Sequence, residues 1–155
     1  MKDSSGIKVI AKNRRASFDF HLLDKFEAGL VLSGTEIKSI RANQVSLQRS
    51  FVRPRNGELW LLEANIAPYE HGNRENHDAT RPRKLLLHRR EINKIIEDLT
   101  LKSLTCVPTR MYLRDGRAKL EIALARGKQK QDKRADLAKK DSNRQIERAL
   151  REKYR

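Results

Sequence analysis

The amino-acid sequence predicts a mainly β protein, a small antiparallel β-barrel with short helices, that ends in a basic tail. At least six short strand-like segments occur, interrupted by two helix-like segments and without the strand–helix alternation that parallel sheets require. Two dipeptides, Asn56-Gly57 and Asp115-Gly116, have the composition of two-residue hairpin turns. Closure into a barrel would remove the exposed edges that such short strands otherwise present.

The first strands are predicted at residues 7–10 and 18–22, where apolar residues cluster or alternate with polar ones. A basic cluster at residues 12–15 separates these two strands. Residues 30–32, Leu-Val-Leu, predict a buried strand that ends at a Ser-Gly pair.

A short helix should follow this strand. Ser33 and Glu36 have the spacing of a capping box, in which each residue satisfies a free backbone donor of the other. The helix would turn Ile37 and Ile40 inward and its two cations outward.

Two β-hairpins follow from the turn composition. The first joins residues 50–53 to 59–62, and the second joins residues 109–114 to 120–124. Asn-Gly and Asp-Gly readily adopt the positive φ angles that a two-residue turn needs. Between the hairpins, a polar loop at residues 70–82 precedes three leucines and then a helix with one apolar face. The apolar residues of that helix are Ile92, Ile95, Ile96 and Leu99.

The last thirty residues form a tail rich in helix-forming residues with little to bury. They contain 12 Lys or Arg and 5 Asp or Glu, and they carry +7 of the total net charge of +15. The larger apolar residues in it are few: Leu137, Ile146, Leu150 and Tyr154. A helix that is polar nearly all round is not stable alone, so we expect a partner to stabilise it.

The charge indicates the class of that partner. The residues before the tail carry the remaining +8, so both parts are basic, which favours a polyanion and above all RNA over an ordinary solvated surface. Aromatic residues make up only 5% of the chain, which indicates contact with phosphates and RNA shape more than base stacking. A basic tail could also touch anionic lipid, but this one lacks a membrane-facing apolar stripe.

The sequence indicates a soluble cytoplasmic protein. A single cysteine, Cys106, excludes an intramolecular disulfide and is typical of a reducing compartment. Residues 1–12 have no apolar core of a signal peptide, and no run approaches the roughly 20 apolar residues of a membrane span.

No catalytic motif is present, and we expect a protein that is not an enzyme and needs no cofactor. The sequence contains no GxSxG, Gly-rich phosphate loop, HExxH or CxxC motif. His71, His77 and Asp78 would be a weak metal site, since they lie in a loop without a cysteine partner. Cys106, between Thr105 and Val107, is expected to be a buried small hydrophobe.

Two clusters of cations could instead contact a phosphate backbone. In the first, Lys12, Arg14 and Arg15 surround Asn13, between two predicted strands. The second cluster lies on both sides of the three leucines at residues 85–87 and could form a groove for phosphates. Alternatively, each of its members could be an ordinary exposed charge. It comprises Arg81, Arg83, Lys84, Arg89 and Arg90.

Several short motifs, in a fixed order, resemble those of one known family. They are Asn-Arg-Arg-Ala at residues 13–16, Phe-Glu-Ala-Gly-Leu at 26–30, Gly-Thr-Glu-Ile-Lys-Ser at 34–39, Arg-Lys-Leu-Leu-Leu-His at 83–88, Gly-Lys at 127–128 and Asp-Lys-Arg at 132–134. The chain resembles the bacterial SsrA-binding proteins, the SmpB family, from about Ile7 to the C-terminus. Each motif is weak alone, whereas their order over the whole length is specific.

The resemblance implies an oligonucleotide-binding-type barrel at residues 1–126 and a tail at residues 127–155 that is disordered when free. It implies binding to the tRNA-like domain of transfer-messenger RNA (tmRNA) and delivery of that RNA to stalled ribosomes for trans-translation. The tail would occupy the empty mRNA channel of the small subunit near the decoding centre and become helical there. Elongation factor Tu would be a further partner, through the aminoacylated tmRNA complex.

The resemblance also implies two sets of site residues. The tmRNA-binding set is Asn13, Arg14, Arg15, Glu27, Lys38, Arg41 and Leu86. The ribosome-binding set in the tail is Gly127, Lys128, Gln131, Asp132, Lys133, Arg134, Lys139, Lys140 and Arg144, in which the glycine would be a hinge and the cations would meet ribosomal RNA phosphates.

Three of these positions have alternative interpretations. Glu27 would accept hydrogen bonds from base or ribose donors, or it would be a rim carboxylate that neutralises a nearby Arg. Leu86 would contact RNA or pack within the protein. Gln131 stands where the family usually has His or Tyr, so a stacking role is in doubt at that position.

Two other functions are compatible with the composition. A structural ribosomal protein or an initiation-type barrel would also be small, basic and tailed, and it would remain on ribosomes in high salt. A metal-dependent nuclease would cleave RNA in a reaction that EDTA abolishes.

Overall fold

Nine strands and four helices occur in residues 6–70 and 76–153, which are the residues that the computed structural model describes. The strands are β1 (Ile7–Lys12), β2 (Phe20–Leu30), β3 (Val45–Ser46), β4 (Phe51–Arg55), β5 (Glu58–Leu62), β6 (Asn65–Ile66), β7 (Arg83–Leu86), β8 (Thr105–Arg114) and β9 (Arg117–Gly127). The helices are α1 (Arg14–Asp19), α2 (Gly34–Arg41), α3 (Arg89–Leu101) and α4 (Lys130–Lys153).

Six of the strands close into an antiparallel barrel. The neighbours run β8-β4-β5-β7-β2-β9, and β9 pairs with β8 to complete the ring. Strand β1 pairs with the C-terminal half of β8, from Arg110 to Arg114. Strands β3 and β6 form a separate two-stranded ribbon. The antiparallel barrel predicted from the sequence is therefore confirmed.

The interior of the barrel is filled by alternate residues of its strands. On β9, Leu120, Ile122 and Leu124 point inward and are almost completely buried. Helix α3 adds Ile92 and Ile95 to the same core, as its apolar spacing predicted. This periodic burial fixes which residues of each strand face outward, where a partner could bind.

Both predicted hairpins are confirmed, and the φ angles of their turns explain why. Asn56 and Gly57 have φ angles of 52° and 75°, and Asp115 and Gly116 have φ angles of 51° and 80°. The second hairpin is longer than predicted, because the β8–β9 pairing extends from Thr105 opposite Ala125 to the turn itself.

The capping box at the start of α2 is also confirmed. The backbone N–H of Glu36 donates to Ser33 Oγ at 3.3 Å, and the backbone N–H of Ser33 donates to Glu36 Oε1 at 2.9 Å. Ile40 is fully buried and Ile37 is half-buried, whereas Lys38 and Arg41 are exposed. The helix thus faces the core as its sequence predicts.

Two predicted strands were placed wrongly. Residues 18–22 are not all strand, since α1 occupies residues 14–19 and β2 begins at Phe20. The buried side chain of Ala16 packs beside Val107 and Ala125, and this long-range contact overrides the alternating pattern. Of the third predicted strand, at residues 30–32, only Leu30 belongs to a strand, as the last residue of β2. Val31 is exposed and leads to the helix cap at Ser33.

Candidate nucleic-acid interface

The pairing of β2 with β7 brings two predicted site residues, Glu27 and Leu86, to one surface. Gly29 on β2 lies opposite Leu86 on β7, and an added Cβ at Gly29 would come 3.4 Å from Leu86 Cβ. A groove of about 330 Å³ runs along this contact, and Glu27, Lys119 and His88 line it as well. Leu86 is 50% exposed, so the groove offers an apolar side chain beside charged ones.

Glu27 is held by two partners at the edge of this groove. Tyr112 Oη donates to Glu27 Oε2 at 2.5 Å, and Arg114 Nη1 lies 3.0 Å from the same oxygen. Burial and then the hydrogen bond to Glu27 raise the pKa of the Tyr112 phenol, so it remains a neutral donor. Glu27 thus forms the ion pair that the rim-carboxylate interpretation expects, while it remains at the groove.

Two arginines that were not predicted as site residues lie over the ring of Tyr112, next to Glu27. The guanidinium of Arg110 lies 4.9 Å from the ring centroid of Tyr112, and that of Arg114 lies 5.8 Å from it. The alternation Arg-x-Tyr-x-Arg along β8 puts all three on one face of the strand. This period-two pattern is the signal that could have identified them. We call Arg110, Tyr112, Arg114 and the neighbouring Lys119 of β9 the barrel face.

The basic cluster after β1 has two different components. Arg14 and Arg15 are exposed on α1, and Arg15 Nε lies 3.2 Å from Asp19 Oδ2. Asn13, in contrast, is only 8% exposed, and its Nδ2 donates to the backbone oxygen of Pro108 at 2.9 Å. The asparagine therefore anchors the start of α1, the helix that presents the two arginines.

The second predicted cation cluster is not a phosphate groove. Arg83 is completely buried, and its Nε donates to Glu36 Oε2 at 2.6 Å; Arg81 also pairs with Glu36. Burial opposes ionisation of Glu36, but hydrogen bonds from Arg81, the Ser33 backbone and Arg83 outweigh it and lower the pKa of the carboxyl. The prediction that Arg83 contacts phosphate is wrong, because the core needs this cation to neutralise Glu36.

The other members of that cluster lie at the surface. Lys84 is half-buried on β7, Arg90 is exposed on α3, and Arg89 Nη2 donates to Glu58 at 2.6 Å. Among residues 6–70 and 76–153, no hydrogen bond or ion pair joins these three side chains to one another.

The backbone at the start of the tail is fixed to α1. Gly127, proposed as a hinge, is the last residue of β9 and pairs with Phe20. The backbone N–H of Lys128 donates to Asp19 O at 2.9 Å, and Lys128 Nζ donates to Ser17 O at 3.0 Å. The same ammonium pairs with Asp136 in the second turn of α4.

Three further contacts hold the first turn of α4. Lys133 Nζ lies 3.1 Å from Asp19 Oδ1 and 5.4 Å from the ring centroid of Phe18. His21 Nε2 lies 3.3 Å from Asp132 Oδ2. We call these contacts and those of Lys128 the tail junction. In this junction, three predicted ribosome-binding residues have partners in the barrel domain: Lys128, Asp132 and Lys133.

Beyond the junction, α4 projects into solvent. None of its described residues is buried, and the remaining predicted tail residues are all exposed. These are Gln131, Arg134, Lys139, Lys140 and Arg144. The helix thus presents exposed cations along its length, which suits contact with a polyanion.

Lys38 and Arg41 lie apart from the other predicted tmRNA contacts. Both are exposed on α2, where Lys38 Nζ lies 5.5 Å from the ring centroid of Tyr69. Within the described residues no hydrogen bond or ion pair connects them to Glu27 or to α1. The predicted set therefore divides into the barrel face with its groove, the α1 cluster and the α2 surface.

The described histidines and Cys106 have ordinary structural surroundings. His77 Nδ1 lies 2.9 Å from Thr35 Oγ1, and its Nε2 lies 2.7 Å from Ile66 O. His71, the other histidine of the weak metal hypothesis, lies outside the described residues. Cys106 is buried, as predicted, and burial raises the pKa of its thiol to about 12. Among the described residues, no helix has the length and apolarity to cross a bilayer.

Comparisons with known proteins agree over almost the whole chain. The family described as SmpB protein matches residues 10–152. The SsrA-binding protein of Carboxydothermus hydrogenoformans is 52% identical over 147 residues, covering 95% of this chain and 99% of that protein. The SsrA-binding protein of Roseiflexus castenholzii is 53% identical over 157 residues, covering 100% and 99%.

A solved structure has the same fold. One chain of "tmRNA-SmpB: a journey to the center of the bacterial ribosome" superposes with a TM-score of 0.65 at 44% sequence identity. The match covers 81% of this chain and 86% of that one.

Proposed function

The chain belongs to the SmpB family, and we propose that it binds the tRNA-like domain of tmRNA and brings it to stalled ribosomes for trans-translation. One observation carries the proposal: the similarity to SsrA-binding proteins extends over both the barrel and the basic tail. The solved relative was studied as tmRNA-SmpB in the bacterial ribosome. The barrel, which would bind tmRNA, and the tail, which would act on the ribosome, are thus both covered by the similarity.

The barrel face supplies the contacts to tmRNA in this proposal. Arg110 and Arg114 stack on Tyr112, which orients their planar guanidinium groups and limits the side-chain entropy lost on binding phosphate. Glu27 neutralises part of this charge and accepts hydrogen bonds from base or ribose donors at the groove. Leu86 offers an apolar contact beside it.

The tail acts on the ribosome in this proposal. Its exposed cations would neutralise ribosomal RNA phosphates in the empty mRNA channel near the decoding centre. With no buried residues, α4 has little to stabilise it apart from the tail junction, so we infer that its helix is lost when the protein is free of the ribosome. Gln131 would contribute an amide hydrogen bond where the family usually has a ring.

The remaining parts of the proposal concern place and partners. The chain would act in the cytoplasm by binding alone, with no catalytic step and no cofactor. Elongation factor Tu would meet it through the aminoacylated tmRNA complex.

Direct binding tests the proposal. The purified chain would be titrated with the tRNA-like half of tmRNA, with an elongator tRNA and a random duplex as competitors, at about 0.2 M salt to suppress nonspecific binding. We expect a clear preference for the tRNA-like fragment. Equal binding to all three RNAs would contradict the proposal and favour a general ribosomal RNA-binding protein.

A matched pair of variants tests the barrel face. Arg114→Ala should weaken binding to the tRNA-like fragment and reduce the slope of log affinity against log salt concentration by about one. Arg55→Ala is the control, because Arg55 is also exposed but lies over the ring of Trp60 on the hairpin β4–β5, not over Tyr112. An equal loss in both variants would contradict the assignment of the face.

A further inference from the structure

A groove with two lobes lies between α2 and the β3–β6 ribbon, away from the barrel face. One lobe has a volume of about 400 Å³ and the other about 260 Å³. Gln44 and Ala67 line both lobes and so form the ridge between them. Tyr69 lies at one end of the groove and Asn65 at the other.

The backbone around this ridge is firmly held. The N–H of Gln44 donates to Ser39 O at 3.0 Å, and the N–H of Ala67 donates to Gln44 O at 3.0 Å. Asn43, just before the ridge, adopts a left-handed conformation with a φ of 60°. These contacts leave the amide side chains of Asn43 and Gln44 exposed to solvent. A site of two lobes is therefore built into the fold where α2 ends.

The lining has the chemistry that recognises a nucleobase. Asn43, Gln44 and Asn65 carry primary amides, which donate and accept hydrogen bonds and can read a base edge. Ser39 is 1% exposed, lines the larger lobe, and has a hydroxyl without a partner among the described residues. Buried polar atoms are nearly always paired, so this hydroxyl indicates a group that binds there.

Tyr69 and the nearby cations complete the site. The tyrosine ring offers a stacking surface, and Lys38 lies over it at 5.5 Å from the centroid. Lys38 and Arg41 both project from α2, the helix that borders the larger lobe, and could contact the phosphates of a bound strand. Glu70, at the same end, could accept hydrogen bonds from an exocyclic amine.

We propose that this groove binds one or two unpaired RNA nucleotides, with a base stacked on Tyr69 and its edge bound by Gln44 and Ser39. The inference rests on the proposed function only in taking RNA as the ligand. It gives the α2 cations, Lys38 and Arg41, a role separate from that of Glu27 and Leu86. The chain would thus hold RNA at two faces, a charged barrel face and an amide-lined groove.

A short fluorescent RNA tests the groove with the full chain. The probe is a single-stranded uridine hexamer with one central 2-aminopurine, whose fluorescence falls when the base stacks on an aromatic ring. Tyr69→Leu should weaken binding of the hexamer about fivefold or more and remove the quenching. Tyr69→Phe should retain both, because it keeps the ring.

A second pair of variants separates recognition of the base edge from general charge. Gln44→Ala should weaken hexamer binding, whereas Gln48→Ala, at another exposed glutamine on the same connection, should leave it unchanged. Unchanged binding in both Tyr69→Leu and Gln44→Ala, or no quenching by the unaltered chain, would overturn the proposal. A thermal melt of each variant verifies that it is folded.

The outcome for the groove is independent of the outcome for tmRNA. If the unaltered chain shows no preference for the tRNA-like fragment, but Tyr69→Leu and Gln44→Ala still weaken hexamer binding, the groove stands and the proposed function fails. If the preference is present and neither variant affects the hexamer, the groove assignment fails alone.

Discussion

The barrel and the basic tail carry similar net charge, +8 and +7, but are stabilised in opposite ways. The barrel closes six strands around a continuous apolar core, and its strands β8 and β9 pair over most of their length. Helix α4 has 24 residues, none of them buried, and contacts the rest of the chain mainly through the tail junction.

This difference separates folding from function within one small chain. The barrel obtains its stability from burial, which does not require RNA and responds little to salt. The tail junction consists of partly exposed ion pairs, which are weak and are screened by salt. We therefore expect α4 to be available to another partner while the barrel remains folded, and the predictions below test this contrast.

The largest stability effect is expected at Glu36, in the barrel domain. Glu36→Gln leaves Arg83 as a buried charge without its counterion, which should destabilise the fold by about 3–5 kcal/mol in urea unfolding. Glu97→Gln, at an exposed position of α3, is the control and should cost well under about 1 kcal/mol. A similar small cost for both variants would show that the buried pair contributes little.

The same carboxyl predicts a pH dependence. Because the pKa of Glu36 in the folded state lies below its ordinary value of 4.5, its stabilising contribution is present above that value. The contribution is lost as the pH falls through the lower, folded-state pKa. The free energy of unfolding should therefore decrease between about pH 5 and pH 3 more steeply in the unaltered chain than in Glu36→Gln. Equal slopes would contradict this assignment.

The second comparison replaces a leucine in each region. Leu120→Ala removes a fully buried side chain and should lower the free energy of unfolding by about 2–5 kcal/mol. Leu150→Ala, at a 50% exposed position of α4, should change it by less than about 0.5 kcal/mol. A large loss from the α4 substitution would mean that the helix packs against something stable in the free protein.

A smaller effect is expected from two cations of the tail. Replacing Lys133 and Arg134 with Ala should leave tmRNA binding intact but reduce peptide tagging in a reconstituted trans-translation assay. Lys133 would lose its contact with Asp19, and both residues would lose contacts with ribosomal RNA. Normal tagging by this double variant would contradict the assignment of these two tail residues to ribosome binding.

The smallest expected signal is the helix content of the tail alone. A peptide of residues 128–155 should show little helix by circular dichroism in buffer, since it lacks the tail junction and buries nothing. Added polyanion should increase the helix signal. Substantial helix in buffer would mean that α4 is preformed.

Local features of the chain were predictable, and long-range ones were not. The Asn-Gly and Asp-Gly turns, the capping box of Ser33 and Glu36, and the apolar face of α3 each depend on neighbouring residues. The partners of Glu36 lie 45 and 47 residues away, so no local pattern indicated that Arg83 is buried. Helix α1 was missed because its contacts on β8 and β9 override a strand-like pattern.

The candidate site was predictable in part for the same reason. Family motifs indicated Glu27 and Leu86, and the pairing of β2 with β7 brings them to one groove. Arg110 and Arg114 have no such motif, and only their alternation around Tyr112 on a confirmed strand identifies them. The buried position of Asn13 just before α1 depends on Pro108, which is 95 residues away.

The central claim is that the barrel binds tmRNA and the tail acts on the ribosome. The most direct test is a chain that ends at residue 126, measured for binding to the tRNA-like fragment and for tagging on stalled ribosomes. We expect affinity close to that of the full chain, with tagging abolished. Loss of RNA binding by this folded fragment, or normal tagging without the tail, would contradict the division of roles.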